Sequence, residues 1–282
     1  MNVDRRTDHF PVSGGLALRR VSWSGAGSRA VIALVHGFAE HVDRYEWVAR
    51  WLVERGYRVY GYDHRGHGES EGPRTYTPSF EVLLDDMELF LETIRREGEQ
   101  GPIVLCGHSM GGLEVATCLA ERRPEVAAAV LSGPMLLPGP GRFRREFARV
   151  LSRLLPRMRF SFGIRTDALS RDVAVQEAYS ADPLIPKTGT ARLGAELIQA
   201  TQRVQGLAPR VEVPVLLLHG EDDSVCSVEG SKSFHAALSP PGCALRTYPG
   251  LRHEIFNEPE RERVLEDLHE WLSKTLTEGR RP

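Results

Sequence analysis

Residues 103–120 read IVLCGHSMGGLEVATCLA, and this segment divides into three parts. The first four residues form an apolar run typical of a buried strand, and the last eight have the composition of a helix. Between them lies the pattern Gly-x-Ser-x-Gly, in which Gly107 and Gly111 flank Ser109. Glycines at these positions remove side chains that would collide where a strand turns sharply into a helix. The pattern therefore predicts that Ser109 is a nucleophile at the tip of a strand.

Two later loops carry the acid and the base that a nucleophilic serine needs. Residues 213–220, VPVLLLHG, have the pattern of a buried strand, and the loop 221–225 after it contains Glu221, Asp222 and Asp223. One of these carboxylates can orient a histidine, and His253, in a later loop, is the candidate general base. The order Ser, Asp, His along the chain is that of the α/β-hydrolase fold.

The chain outside these loops alternates strand-like and helix-like segments. Such alternation predicts an α/β protein with a mostly parallel, eight-stranded sheet flanked by helices on both faces. Ligands bind such sheets at the carboxyl ends of the strands, where Phe38, Ser109, Asp223 and His253 are expected. The strand-like segments are an antiparallel-looking opening over 10–23, then 30–35, 58–62, 103–106, 213–220 and 244–248; the helix-like segments are 45–55, 79–97, 113–120 and 231–238.

Length and charge limit the classes of function. The 282 residues suffice for one elaborated domain, and a formal net charge of −2 disfavours nucleic acid as a partner. The four cysteines show no Cys-x-x-Cys spacing, which is typical of free thiols in a reducing compartment. The amino-terminal residues lack the apolar core of a signal peptide. We therefore expect a cytoplasmic protein.

The alternation stops between Ser132 and Pro214. An insertion of this kind after the sixth strand predicts a helical cap over the catalytic face. The expected cap spans residues 135–212, and the core is divided into 1–134 and 213–282.

Within the cap, segment 139–156 has the pattern of a basic amphipathic helix. It can be a cap helix with a solvated arginine face, or a mobile lid that also meets lipid interfaces, and the sequence leaves both interpretations open. If it is a lid, its apolar face lines the channel for an acyl chain, with Phe143, Phe147 and Leu151 as contacts. The apolar stripe is Phe143, Phe147, Val150, Leu151, Leu154 and Leu155, interleaved with Arg142, Arg144, Arg145, Arg149, Arg153 and Arg157.

Acyl transfer also needs two hydrogen-bond donors aimed at the developing oxyanion. The backbone N–H of Met110, directly after the nucleophile, is one candidate. The other is the N–H of Phe38 in the loop 36–41 after the third strand, where Gly37 allows a tight turn.

Several segments together resemble the monoacylglycerol lipase and lysophospholipase-like α/β-hydrolases of the serine aminopeptidase S33 group. The resemblance covers nearly the whole chain and includes the cap. It rests on HGFAEH at 36–41 with Arg44 and Tyr45, DHRGHGESEG at 63–72, GHSMGG at 107–112, Ser170 with Arg171, and YSADPLI at 179–185.

This resemblance implies a nucleophile at Ser109, a base at His253 and an acid at Asp223 rather than Asp222. It also implies that Glu40, Arg44 and Tyr179 border the polar end of the site, where a glycerol head group would sit, with Cys226 nearby. The ring of Phe38 replaces a smaller residue found in some relatives and is expected to narrow the pocket.

The resulting hypothesis is a serine carboxyl-ester hydrolase that cleaves monoacylglycerols or similar single-chain lipid esters, with no cofactor or metal. The alternatives are a lysophospholipase or general esterase, an aminopeptidase that holds a substrate ammonium with a carboxylate, and a non-catalytic protein that binds a ligand in the same pocket. The cap can contact lipid interfaces transiently, and the sequence does not indicate an oligomeric state.

A metal site is a weaker interpretation of the polar residues near the third and fourth strands. Their spacing fits no common ligand pattern, so structural hydrogen bonds are expected instead. These residues are His36, His41, Asp63, His64 and His67.

Overall fold

One eight-stranded sheet runs through the part of the chain that the structure describes. The structure is a computed structural model, and it describes residues 3–27, 29–99, 101–137, 142–161 and 163–278. In chain order the strands are β1 (Asp4–Val12), β2 (Leu16–Ser24), β3 (Val31–Val35), β4 (Arg58–Tyr62), β5 (Ile103–His108), β6 (Ala128–Ser132), β7 (Arg159–Phe160), β8 (Gly189–Thr190), β9 (Val215–Gly220) and β10 (Ala244–Tyr248).

The strands of the main sheet lie in the order β1-β2-β4-β3-β5-β6-β9-β10. Strand β2 is antiparallel to both of its neighbours, β1 and β4. From β4 to β10 every neighbouring pair is parallel. The predicted mostly parallel, eight-stranded sheet is therefore confirmed.

Helices cover both faces of this sheet, and alternate strand residues supply the two apolar cores. In β5, Leu105 belongs to the core under α2, α3, α6 and α7, whereas Val104 and Cys106 belong to the core under α1 and α8. None of the helices within the described ranges combines the length and apolar character that a membrane span requires. The helices are α1 (Glu46–Glu54), α2 (Phe80–Arg96), α3 (Met110–Glu121), α4 (Arg142–Leu154), α5 (Val173–Ala181), α6 (Ala191–Leu207), α7 (Val228–Ala237) and α8 (Arg261–Glu278).

The chain segment between β6 and β9 carries its own helices, of which α6 also packs on α3 and joins the core on that face of the sheet. It contains α4, α5 and α6, and α4 packs on α6. It also contains a short antiparallel pair, in which Arg159 and Phe160 of β7 face Thr190 and Gly189 of β8. Two-residue strands are too short to produce an alternating sequence pattern, so this pair was not predicted.

Candidate active site

Ser109 sits in a strained turn between β5 and α3. Its backbone has φ 53° and ψ −112°, and its N–H donates to the carbonyl of Ser132 at 3.0 Å. A Cβ placed on Gly107 would lie 2.4 Å from the carbonyl oxygen of Gly111, and one on Gly111 would lie 2.2 Å from that of Val35. Only glycine fits where backbones approach this closely, and a strained residue in such a surrounding is typical of a functional site.

The predicted base and the predicted acid are in direct contact in the structure. The Nδ1–H of His253 donates to Oδ2 of Asp223 at 2.7 Å. The other oxygen of Asp223 accepts from the N–H groups of Val225 and Cys226, each at 2.8 Å. Asp223 and His253 are buried, whereas Asp222 is exposed. Of the two carboxylates in this loop, the geometry favours Asp223 as the orienting acid.

Neighbouring charged groups shift the pKa values of His253 and Asp223 in opposite directions. Burial by itself lowers the pKa of His253, but Asp223 and, more weakly, Glu254 and Glu40 outweigh burial and raise that pKa above its ordinary value. Burial alone would raise the pKa of Asp223, but the facing His253 and the hydrogen bonds that the carboxylate accepts lower it well below its usual range. Asp223 therefore stays ionised and stabilises a protonated His253.

The hydroxyl of Ser109 contacts a thiol. Among the described residues, its hydrogen-bond partner is Sγ of Cys226 at 4.0 Å rather than the imidazole of His253. Burial raises the pKa of the Cys226 thiol, which keeps it uncharged. Ser109 and His253 line the same cavity, and catalytic hydrogen bonds are often long in a free enzyme and shorten when substrate binds.

The loop after β3 lies against the nucleophile. A Cβ placed on Gly37 would be 3.1 Å from Cβ of Ser109, so the backbone here passes directly beside the serine. The N–H of Gly37 and the hydroxyl of Tyr45 both donate to Oε1 of Glu40, the latter at 2.8 Å. Glu40 therefore fixes the conformation of the loop that carries Phe38.

A buried charge cluster borders the site. Nη1 of Arg44 donates to Glu40 at 3.0 Å, and the guanidinium contacts both carboxylate oxygens of Glu254, at 2.6 and 2.7 Å. The same guanidinium lies 4.8 Å from the ring centroid of Tyr179. Burial would raise the pKa of Glu254, but Arg44 lowers it to about 2. Glu254 was not predicted, because no sequence pattern indicates a contact between groups 210 positions apart.

The site opens into a cavity of about 570 Å³ that contains Ser109 and His253. Glu40, Tyr179 and Glu254 line it, whereas Arg44, predicted as a contact, lies behind them. The apolar part of the wall is formed by Phe38, Met135, Leu136, Leu137, Ile164, Leu169, Leu197, Ile198 and Val225.

The prediction that the apolar stripe of α4 lines the acyl-chain channel is wrong for those stripe residues whose side chains the structure describes. Phe147 is 68% exposed, Leu151 is half-buried, and neither lines the cavity; the side chain of Phe143 lies outside the described residues. The cavity wall comes from α6 instead, because α4 packs on α6 and α6 lies over the site. Gly194, Leu197, Ile198 and Thr201 have the helical spacing i, i+3, i+4, i+7, a signal that could have identified this wall.

The histidines near β3 and β4 form structural hydrogen bonds. Nδ1–H of His36 donates to the carbonyl of Gly37, and Nε2 of His36 accepts from the N–H of His64 at 3.0 Å. Nε2 of His41 contacts Asp182 of the cap at 2.8 Å. In the described part of the chain, no group of three or more His, Cys, Asp or Glu residues is arranged to hold a metal ion.

An eight-stranded, mostly parallel sheet with a serine-bearing turn after β5 and a cap after β6 is the architecture of the α/β-hydrolases. The chain belongs to the family described as serine aminopeptidase, S33, whose sequence profile matches residues 26–260.

Individual relatives agree with this assignment. The chain is 34% identical over 276 residues to a monoacylglycerol lipase of Mycolicibacterium smegmatis, covering 96% of this chain and 98% of the relative. It is 34% identical to the human monoglyceride lipase, covering 91% and 87% of the two chains. The crystal structure of a Paleococcus ferrophilus monoacylglycerol lipase matches with a TM-score of 0.83 at 32% identity, covering 92% of this chain and 99% of that one. The chain is thus a serine ester hydrolase.

Proposed function

We propose that this enzyme hydrolyses monoacylglycerols or similar single-chain lipid esters through an acyl-enzyme on Ser109. The observation that carries the proposal is the cavity, in which the serine and histidine lie beside polar groups while the remaining wall is largely apolar. Such a cavity matches an ester whose alcohol is small and polar and whose acyl chain is apolar. The monoacylglycerol lipases among its relatives support the same substrate class.

The proposed reaction starts when Oγ of Ser109 attacks the ester carbonyl carbon and His253 takes the hydroxyl proton. The N–H groups of Phe38 and Met110 stabilise the oxyanion. The bond to the alcohol then breaks, and His253 returns its proton to the departing alkoxide. Water, deprotonated by His253, attacks the acyl carbon of the acyl-enzyme. The bond to Oγ of Ser109 then breaks, His253 returns the proton to Oγ, and the fatty acid is released. Asp223 orients the imidazole and stabilises its cation throughout.

The charge cluster favours an ester over an aminoacyl substrate. An aminopeptidase needs a carboxylate that can receive the substrate ammonium. Glu40 accepts from Gly37, Tyr45 and Arg44, and both oxygens of Glu254 are bonded to Arg44. These two carboxylates thus already accept hydrogen bonds from groups of the protein, and we expect Glu40, Tyr179 and Glu254 to form the edge of a glycerol subsite that Arg44 holds in place.

The proposed cap, residues 135–212 between core parts 1–134 and 213–282, also carries a surface suited to lipid. Phe147, Val150, Leu154, Leu155 and Met158 are exposed apolar side chains next to exposed Arg149, Arg153 and Arg157. Apolar groups with flanking cations are typical of helices that lie on anionic lipid interfaces. We therefore expect the cap to deliver substrate from such an interface. The four cysteines are free, which supports a cytoplasmic location.

A substrate panel tests the proposal. Wild-type enzyme and Ser109→Ala are assayed with monoacylglycerols of increasing chain length, lysophospholipids with the same acyl chains, and aminoacyl amides. The largest kcat/KM is expected for a monoacylglycerol, with no turnover by the variant. Preference for an aminoacyl amide or a lysophospholipid would contradict the proposed substrate.

Vesicle binding tests the cap surface separately. Phe147→Ser with Leu154→Ser should weaken sedimentation with anionic vesicles, while Val173→Ser, which changes an exposed apolar residue on α5, serves as control. Equal binding by the double variant and wild type would contradict docking by α4.

A further inference from the structure

A second histidine contacts the proposed catalytic acid. His219 lies near the end of β9 and is fully buried. Its Nε2 is 3.1 Å from Oδ2 of Asp223, the same oxygen that accepts from His253 at 2.7 Å. Two imidazoles therefore share one carboxylate oxygen, and the reaction described above uses only one of them.

The contacts of His219 fix its hydrogen-bonding pattern. Nε2 also lies 2.8 Å from the carbonyl oxygen of Cys226. A carbonyl and an ionised carboxylate can only accept, so Nε2 carries the hydrogen. Nδ1 forms a hydrogen bond with the hydroxyl of Ser231 on α7, at 2.7 Å. Partners at both ring nitrogens hold the ring, with Nε2–H directed at the carbonyl of Cys226 and Oδ2 of Asp223 close beside it.

The carboxylate of Asp223 does not depend on His219 for its place. Two backbone N–H groups, those of Val225 and Cys226, bind Oδ1 and fix the carboxylate by themselves. Oδ2 accepts from Nδ1–H of His253 and lies 3.1 Å from Nε2 of His219. The effect of His219 is thus electrostatic, because the partial positive charge of its Nε2–H group lies close to the oxygen that faces His253.

We propose that His219 is a positioning residue that acts through Asp223, limiting how strongly this carboxylate stabilises protonated His253. The inference rests on the proposed function, in which His253 must both accept and return a proton. A histidine held too firmly in its protonated form is a poor base near neutral pH. By weakening the stabilisation of protonated His253, His219 allows His253 both to accept and to return a proton.

Other charged groups near His253 stay in place when His219 is changed. Glu254 and Glu40 favour the protonated ring, while burial and the nearby His253 lower the pKa of His108, whose ring centroid lies 4.7 Å away, to about 4 and so keep it uncharged. A shift seen in a His219 variant can therefore be attributed to the Asp223 contact.

The test compares variants that remove or retain the donor. His219→Met fills similar space without an N–H, whereas His219→Gln keeps an amide N–H. His269→Gln changes a half-buried histidine that contacts Tyr57 away from the site, and it serves as the control. For each protein, kcat/KM for a short ester and the rate of labelling by a fluorophosphonate are measured against pH. The acid limb of each profile, where the rate falls as the pH decreases, reports the pKa of the base in the free enzyme.

The acid limb of His219→Met should move to higher pH by about half a unit, equivalent to about 0.7 kcal/mol. His219→Gln and His269→Gln should keep the wild-type limb. If His219→Met folds and its acid limb stays in place or moves to lower pH, the inference is overturned. A variant with a lower Tm and an unmoved acid limb overturns it as well.

Ser231→Ala decides the matter if His219→Met does not fold. It removes only the hydroxyl that holds Nδ1, so a smaller shift in the same direction is expected, and an unmoved limb overturns the inference. Wild-type protein that neither hydrolyses esters nor is labelled at Ser109 would instead contradict the proposed function itself.

Discussion

Nδ1 of His253 lies 2.7 Å from Oδ2 of Asp223, and both side chains are buried. Asp222, one position earlier, is exposed. Adjacent residues in a turn project in different directions, so only one of the two carboxylates can orient the imidazole.

Asp223→Asn should lower kcat by about 10³- to 10⁴-fold, because the imidazole loses the partner that sets its tautomer and stabilises its cation. Asp222→Asn changes the same chemical group one residue away and should leave kcat nearly unchanged. Steady-state kinetics on one ester checks both. The reverse ranking would move the acid to Asp222.

The activity should fall as pH decreases, because protonated His253 cannot accept the serine proton. Since Asp223 raises the pKa of His253 above its ordinary value, the midpoint in kcat/KM should lie above about 6.5. Above that midpoint the base is free and the rate should level off. A profile that stays flat down to about pH 5 would contradict a histidine base in this environment.

Glu40→Ala should lower kcat/KM by about 10- to 100-fold, less than the loss of an oxyanion donor itself, because Gly37 loses the acceptor that fixes the loop of Phe38. Tyr45→Phe is the matched control, because it removes the hydrogen bond from the tyrosine hydroxyl to Glu40 and leaves the hydrogen bond from the N–H of Gly37 intact. Its expected cost is about 1 kcal/mol of stability with kcat nearly unchanged. Equal kinetic losses in the two variants would argue against a role for Glu40 in the loop.

Ile198→Trp should reduce hydrolysis of long-chain monoacylglycerols far more than that of an acetate ester, because the larger ring fills the apolar part of the cavity. Each methylene excluded from this wall forfeits about 0.8 kcal/mol of binding. Phe147→Ser changes an exposed residue of α4, so it should change the rates of hydrolysis of long and short water-soluble esters to the same extent. Selective loss of long-chain activity in Phe147→Ser alone would restore α4 as the channel wall.

The sequence predicts most of the core fold because alternating strands and helices leave strong local patterns. The segment 58–62 is a strand with the predicted bounds, and β5 extends two residues beyond its predicted end at Cys106. The serine, the histidine and the loop after β3 follow from turn chemistry and chain order, whereas the choice between Asp222 and Asp223 needed a family resemblance.

The remaining features depend on contacts through space. An apolar stripe shows that α4 has an amphipathic face but not which neighbour covers it, and its Phe147 faces away from the cavity. Likewise, no local pattern indicates that Glu254 pairs with Arg44, or that His219 lies close to the same oxygen of Asp223 that His253 contacts. Such contacts arise only when distant loops meet at the edge of the sheet.

Covalent labelling of Ser109 by a fluorophosphonate, located by mass spectrometry of the digested protein, tests the central claim most directly. The control is Ser227→Ala, which removes another serine that lines the same cavity. Wild type and Ser227→Ala should carry the label on Ser109 and lose esterase activity in proportion, while Ser109→Ala should be folded, unlabelled and inactive. Near-normal ester hydrolysis by Ser109→Ala, or a label on Ser227 instead, would contradict the account.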